Sequence, residues 1–155
     1  MNRNRRTLRL IGLLALAGML VAIYDSISRL LGIPLFCPFA GNGCDIVQNS
    51  PYAVIFGIPL AFLGVLGFGA YLALAYVGMR SGPGALWYLY ALLAWNVLAI
   101  GSMAYFSYLE LAVIHAVCSL CVFAAAINIA LGITIIYAIC GGQENTKVRK
   151  ASTSP

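Results

Sequence analysis

The chain has 155 residues, of which 63% are hydrophobic and 8% charged, whereas a soluble domain carries about a quarter charged residues and under half apolar ones. That composition excludes a water-soluble globule, and it excludes a disordered chain, which requires low hydrophobicity. The net charge of +5 rests on only 9 Lys or Arg against 4 Asp or Glu, too few for a nucleic-acid footprint, so the placement of the charges carries more than their sum.

Four apolar stretches account for most of the chain, each long enough to cross a bilayer at roughly 20 residues per helical span. The first runs from about Leu8 to Ile27, behind Asn2-Arg3-Asn4-Arg5-Arg6. A basic start and Ala15-Leu16-Ala17 also fit a cleaved secretory signal. The apolar run continues past Ala17 to Ile23, however, and polarity returns only at Tyr24-Asp25-Ser26, which favours a retained helix. Residues 28–54 form one long connection holding Cys37 and Cys44. Pro38, Gly41, Asn42 and Gly43 between them make a turn that can close a disulfide and open again. Such a pair serves either as a plain loop staple or as an exchangeable relay.

The second apolar stretch covers about 55–77. The third, after a short Gly/Pro turn at Met79 to Gly84, covers about 85–109, and the fourth about 118–140. Unbroken apolar runs of this length predict helices, not strands. Gly57 to Ala61 and Gly69 to Ala73 carry small-xxx-small spacing, which reads as helix packing. Asn96 and Asn128 fall near mid-membrane and need partners, so a bond between them is predicted. The alternative is a polar floor under a ligand site, since Cys121, Ala125 and Asn128 share a helix face. Residues 141–155 read as a polar, frayed tail. The predicted architecture is all-α: an integral membrane four-helix bundle over residues 1–140, with the long connection between helices one and two at one end.

Charge predicts the orientation. Arg3, Arg5, Arg6, Arg9, Arg80, Lys147, Arg149 and Lys150 share one side of a four-helix topology, and Arg29 falls on the other with Asp25, Asp45 and Glu110. The positive-inside rule makes the first side, with both termini, cytoplasmic. Aromatic belts agree, with Tyr71, Tyr76, Trp87, Tyr88 and Tyr90 toward the inner face and Tyr24, Tyr105 and Tyr108 toward the outer. Asp25 reads as a solvated anchor at the outer interface.

On this topology four of the five cysteines share the outer, oxidising face: Cys37 and Cys44 in the loop, and Cys118-Ser119-Leu120-Cys121 at the mouth of the fourth helix. Cys140 stands alone at the inner end as a packing or lipid-facing thiol. A Cys-x-x-Cys at a helix start has a physical use. The first sulfur meets unpaired backbone N–H groups and the positive end of the helix dipole, which favours thiolate. The second lies one turn further in, about 5 Å toward the hydrocarbon. His115, three residues before Cys118, reads as a wet interfacial histidine, and secondarily as a charge that favours the thiolate. Three classes of function fit: a thiol redox relay, a metal site using the four thiolates, or a disulfide-stapled structural bundle. The oxidising face and the mobile turn favour the relay.

The run Cys44-Asp45-Ile46-Val47-Gln48-Asn49-Ser50-Pro51-Tyr52-Ala53, followed by Phe56-Gly57-Ile58-Pro59-Leu60-Ala61 and Gly64, strongly resembles the vitamin K epoxide reductase family, above all its prokaryotic quinone-linked members. Two loop cysteines, a serine six residues past the second and a Cys-x-x-Cys opening the last helix complete the pattern. The resemblance implies a bundle around a quinone of the menaquinone or ubiquinone class, capped by the outer loop. It implies Cys118 and Cys121 as the active-site disulfide, with Cys121 against the quinone, and Cys37 and Cys44 as the shuttle pair. The implied partner is a thioredoxin-fold, DsbA-like thiol oxidoreductase that attacks Cys37, after which Cys44 attacks Cys118. Ser50 matches the family's loop serine, and Phe56, Leu60 and Phe123 are candidates for apolar lining. Vertebrate members carry Asn and Tyr where this chain has Ala53 and Ala125, which points to reduction of a plain quinone instead of the epoxide. Residues 141–155 are too few for an appended thioredoxin-like domain, so the partner is expected to be a separate chain. The unrelated DsbB-type quinone oxidoreductases place their Cys-x-x-Cys in the first outer loop, the reverse of the order here.

Overall fold

In the computed structural model, residues 2–35, 37, 41–81 and 87–152 are described, with side chains for 5–35, 37, 41–81 and 87–141. The first helix, α1 (Asn2–Leu31), stops where Gly32 adopts a left-handed φ of +63°. The Ile33 amide then reaches back to the Ser28 carbonyl at 3.0 Å, a Schellman-type closure. The connection contains a short helix, α2 (Gly43–Gln48), and a 3₁₀ turn at Pro51–Ala53. Three long helices follow: α3 (Leu60–Arg80), α4 (Trp87–Leu109) with a π-helical turn at Glu110–Ile114, and α5 (Ser119–Ser152). Among the described residues four segments are long and apolar enough to cross a membrane: Arg5–Leu31, Leu60–Arg80, Trp87–Ile114 and Ser119–Gly141.

The second apolar stretch begins differently from the expectation. Its first residues form a two-stranded hairpin, β1 (Val54–Ile55) against β2 (Ile58–Pro59), turned through Phe56 at φ +50° and Gly57 at φ +81°. Two consecutive positive φ values make the tight primed turn that matches strand twist, and Gly at the second position adopts it freely. Pro59, at φ −58°, then caps the start of α3, where its missing N–H costs the helix nothing. The Gly/Pro connection after Ser81, Pro38, and the side chains of the polar tail lie outside the described residues.

α1 packs along α3 and α5, and α4 closes the ring against both, which is the expected all-α membrane bundle. Each helix gives one stripe to the core: Leu8, Ile11, Ala15 and Ala22; Phe68, Tyr71 and Ala75; Tyr88, Leu89 and Leu92; Leu131, Ile135 and Ala138. Opposite faces, such as Leu13, Leu16 and Leu20 or Ile129, Ile133 and Ile136, are apolar and exposed. Helices apolar on every side need lipid around them. With lipid as apolar as the core, close approach of backbones holds such a bundle together. The glycines that permit it are Gly18, where a methyl would come within 2.6 Å of the Phe68 ring, Gly78 against Tyr88 and Gly132 against Asn96. Gly57 and Gly69, expected to pack, have open space beside them.

Asn96 and Asn128 do meet, through a residue the aromatic-belt reading misplaced. Tyr71 is 1% exposed and sits in the core. Its hydroxyl donates to Asn128 Oδ1 at 3.0 Å and accepts from Asn96 Nδ2 at 2.9 Å, and Asn96 Nδ2 also donates to the Asn128 carbonyl at 3.0 Å. Tyr88 is likewise buried, whereas Tyr24, Tyr76, Trp87, Tyr90, Tyr105 and Tyr108 are exposed.

Candidate functional site

At the end of the bundle where α1 finishes and α5 begins, α2 lies across α5 and the π turn. Cys44 and Cys118 are both wholly buried there and pack in one apolar cluster with Leu35 and Val47. Cys37, Cys121, Ile114, Ala116 and Leu120 surround that cluster. The fold thus brings together four cysteines that are separated by as many as 84 positions in the chain (37 to 121). Cys37 and Cys44 are joined in a disulfide with Cα atoms 5.9 Å apart, whereas Cys118 and Cys121 are free thiols. With two of the four sulfurs bonded to each other, a four-thiolate metal site is not what this arrangement offers. Cys140 is free and exposed near the other end of the apolar span Ser119–Gly141.

Cys118 occupies the cap position of α5. Its carbonyl accepts the first helical bond, from the Val122 amide at 3.1 Å, and its sulfur accepts the Cys121 amide at 3.3 Å. The thiol hydrogen-bonded from Cys121 holds Cys118 below the ordinary thiol range, outweighing burial and the charges of Glu110 and Asp25, which push the other way. Cys121, one turn on, is half-buried.

The loop is seated by polar contacts on α1. Arg29 donates to both the backbone carbonyl and the side-chain oxygen of Gln48, and Gln48 donates through its amide to Asp25 Oδ2. Asp25, read from sequence as a solvated anchor, is instead 9% exposed, with Oδ1 buried and unpartnered among the described residues. A buried carboxylate is tolerated here because Gln48 and Arg29 face it. The Leu35 amide donates to Asp45 Oδ1 at 3.0 Å, fixing the start of the loop to α2.

The other anticipated residues are more scattered. Ser50 is half-buried and its hydroxyl donates to the Val47 carbonyl at 2.7 Å, tying the end of α2. Ala53 is buried, Leu60 and Ala125 are half-buried, and Phe56 is fully exposed at the hairpin tip. None of these five lines the open cleft of about 610 Å³ beside the cysteine cluster, which is bounded by Ile46, Ala116, Val117, Val122 and Phe123, with His115 at its edge. His115 is exposed and takes a left-handed φ of +54°, so its backbone makes the turn out of the π helix.

The residue that escaped the sequence reading is Glu110. It is 6% exposed, and its Oε2 accepts the Cys118 amide at 3.2 Å. The available signal was an acidic residue inside the apolar run Leu109-Glu110-Leu111-Ala112-Val113-Ile114, a place where ionisable groups serve function by default.

Two comparisons bear on this site. The sequence profile described as the vitamin K epoxide reductase family matches residues 9–136, which takes in the whole cysteine cluster. The chain is also similar to the thiol-disulfide oxidoreductase LTO1 of Arabidopsis thaliana, 40% identical over 57 residues. That match spans 37% of this chain and 15% of the plant protein.

Proposed function

The chain belongs to the vitamin K epoxide reductase family, and we propose that it is a membrane thiol–disulfide oxidoreductase that takes electrons from a reduced thioredoxin-fold protein and delivers them to a quinone, so supporting disulfide formation. The observation that carries this reading is the buried cluster in which a disulfide lies beside a free dithiol.

Burial sets the order of the exchanges. Cys37 is half-buried and Cys44 wholly buried, so a partner thiolate reaches Cys37 first and Cys44 leaves as thiolate beside Cys118. The partner's second thiol then attacks its own sulfur in the mixed disulfide, which frees Cys37 and leaves the partner oxidised. When Cys118 and Cys121 are a disulfide, Cys44 attacks Cys118 and Cys121 leaves. Cys37 next attacks Cys44, re-forming the loop disulfide and leaving both active-site thiols reduced. That is the distribution seen here, with a loop disulfide and free Cys118 and Cys121. The net transfer is two electrons and two protons from the partner's dithiol to Cys118 and Cys121.

A quinone of the menaquinone or ubiquinone class supplies a two-electron, two-proton acceptor. The surroundings suit it: Cys121 sits among Leu35, Ile114 and Leu120, and Phe123 and Val122 form an apolar wall of the adjoining cleft. Ala125, one turn below Cys121, and Leu60, Ala53, Ser50 and the exposed Phe56 are the remaining candidates for contact with the ring. We assign the protein to the cell membrane as a multi-pass chain with cytoplasmic termini and both cysteine pairs outside, the arrangement its arginines favour. Lipid and a DsbA-like thiol oxidoreductase are the partners this reading requires.

Trapping tests the reading. Cys44→Ser in native membranes should accumulate a mixed disulfide between Cys37 and a thioredoxin-fold protein, identified by mass, and absence of any adduct would count against the relay. Cys121→Ala should abolish quinone reduction with such a donor. A variant that still reduced quinone would overturn the assignment of roles.

A further inference from the structure

One ionisable side chain is buried against the redox cysteines and has no part in the relay above. Glu110 opens the π-helical turn, and the chain that follows wraps around it. Its carbonyl accepts the Ala116 amide at 3.1 Å, and its carboxylate accepts the Cys118 amide at 3.2 Å. A carboxylate oxygen of Glu110 and the sulfurs of Cys118 and Cys121 all lie within 4.8 Å of one another. One accepted amide leaves a carboxylate with further lone pairs free to take a thiol proton. A thiolate released this close to a carboxyl group has a proton donor within reach.

We propose that Glu110 is the proton carrier of the active-site dithiol, giving its proton to Cys121 when the disulfide opens and taking it back when the pair is oxidised. On opening, Cys44 forms a bond to Cys118 Sγ and the Cys118–Cys121 bond breaks. The electron pair goes to Cys121 Sγ, which takes the proton of the Glu110 carboxyl. On oxidation by a two-electron acceptor of the quinone class, Cys121 returns that proton to the carboxylate as its electrons leave. The proposal rests on the thiol-exchange reading and not on the identity of the acceptor. Among the described residues, the other ionisable groups near this site are Asp25 on α1, Cys118 itself and His115, which borders the adjoining cleft. Cys37 and Cys44, on the loop side, are tied in their disulfide. Asp25 is held by Gln48, whereas Glu110 reaches both sulfurs.

The test uses the full chain in detergent with Cys140→Ser, which removes the exposed thiol at the far end of the fourth span. A soluble dithiol–disulfide buffer sets the redox state and no quinone is present, so failure here is separate from failure of the quinone reading. The reduced-minus-oxidised infrared spectrum should lose a protonated-carboxyl band on reduction and gain a carboxylate band. Both should vanish in Glu110→Gln and persist in Glu110→Asp and Asp25→Asn. Reduction of the disulfide by the dithiol, corrected for the dithiol's own ionisation, should slow about 100-fold in Glu110→Gln, within the range of general acid–base catalysis. A wild-type spectrum without a carboxyl band, a band that survives Glu110→Gln, or an unchanged rate in that variant overturns the proposal. If Glu110→Gln fails to fold, the wild-type spectrum alone decides.

Discussion

Tyr71→Phe separates two roles for the polar layer in mid-bundle. The substitution removes one hydroxyl and keeps the ring that packs beside Phe68 at a centroid distance of 6.3 Å. Two hydrogen bonds go with it, and their loss is unequal. Asn96 Nδ2 keeps the Asn128 carbonyl at 3.0 Å, but Asn128 Oδ1 loses the Tyr71 donor. A buried acceptor left unpaired costs about 1–3 kcal/mol in a soluble protein. Side-chain hydrogen bonds between membrane helices average about 0.6 kcal/mol. The lower half of the range therefore applies, about 1–2 kcal/mol between those two limits. At about 2–4 °C per kcal/mol for a chain of this size, Tm should fall by about 2–8 °C. Thermal unfolding in detergent, followed by near-UV circular dichroism, measures it, with the proposed quinone reduction assayed in parallel at low temperature. Reduction should stay within about twofold, because the layer stabilises the bundle and leaves the transition state untouched. An unchanged Tm would refute the bonding argument. A tenfold loss of quinone reduction at full stability would place the hydroxyl in the acceptor's site.

Gln48→Leu should unseat the loop, since it leaves the Asp25 carboxylate buried without its amide donor and frees Arg29. Dithiol reduction of Cys37–Cys44 and proteolysis near residue 41 should both quicken several-fold, and unchanged rates would show that the loop is held elsewhere. Cys118 titrates below the ordinary thiol range in the reduced protein, so its thiolate should persist to lower pH than that of a free cysteine and disappear only below its depressed midpoint. Cys121→Ala removes the chief cause, so the thiolate absorbance at Cys118 should then be lost at higher pH. A midpoint that did not move would show that the Cys121 thiol is not the cause.

The four spans were legible because twenty apolar residues in a row admit few other readings. The gathering of the cysteines followed from counting crossings, and only packing could show that Cys44 and Cys118 share one cluster. The hairpin at Val54–Pro59 was hidden because its residues are as apolar as the helix that follows. Only the positive φ at Phe56 and Gly57 and the proline after them distinguish it. Tyr71 was read as an interface anchor because composition does not reveal that a hydroxyl faces Asn96 and Asn128 from another helix. Gly18 and Gly132 pack where small-xxx-small spacing did not point, because contact depends on which face meets a bulky neighbour. Asp25 was taken for a solvated anchor, and Glu110 was only counted with the outer charges. Their burial depends on how α2 and the π turn fold over them, which no single segment encodes.

Under the proposed relay, the cap of α5 bears on the durability of the bundle. Helices favour a serine, threonine, asparagine or aspartate at their start, whose oxygen binds an amide of the first turn. Here a sulfur does so, and the residue whose amide it holds is the one that carries the second sulfur. In the reduced protein the first turn is closed by that hydrogen bond. Once the pair is oxidised, a covalent link joins the same two residues. The helix start would be fastened in both states by different forces, so the proposed relay could pass electrons through it without fraying α5.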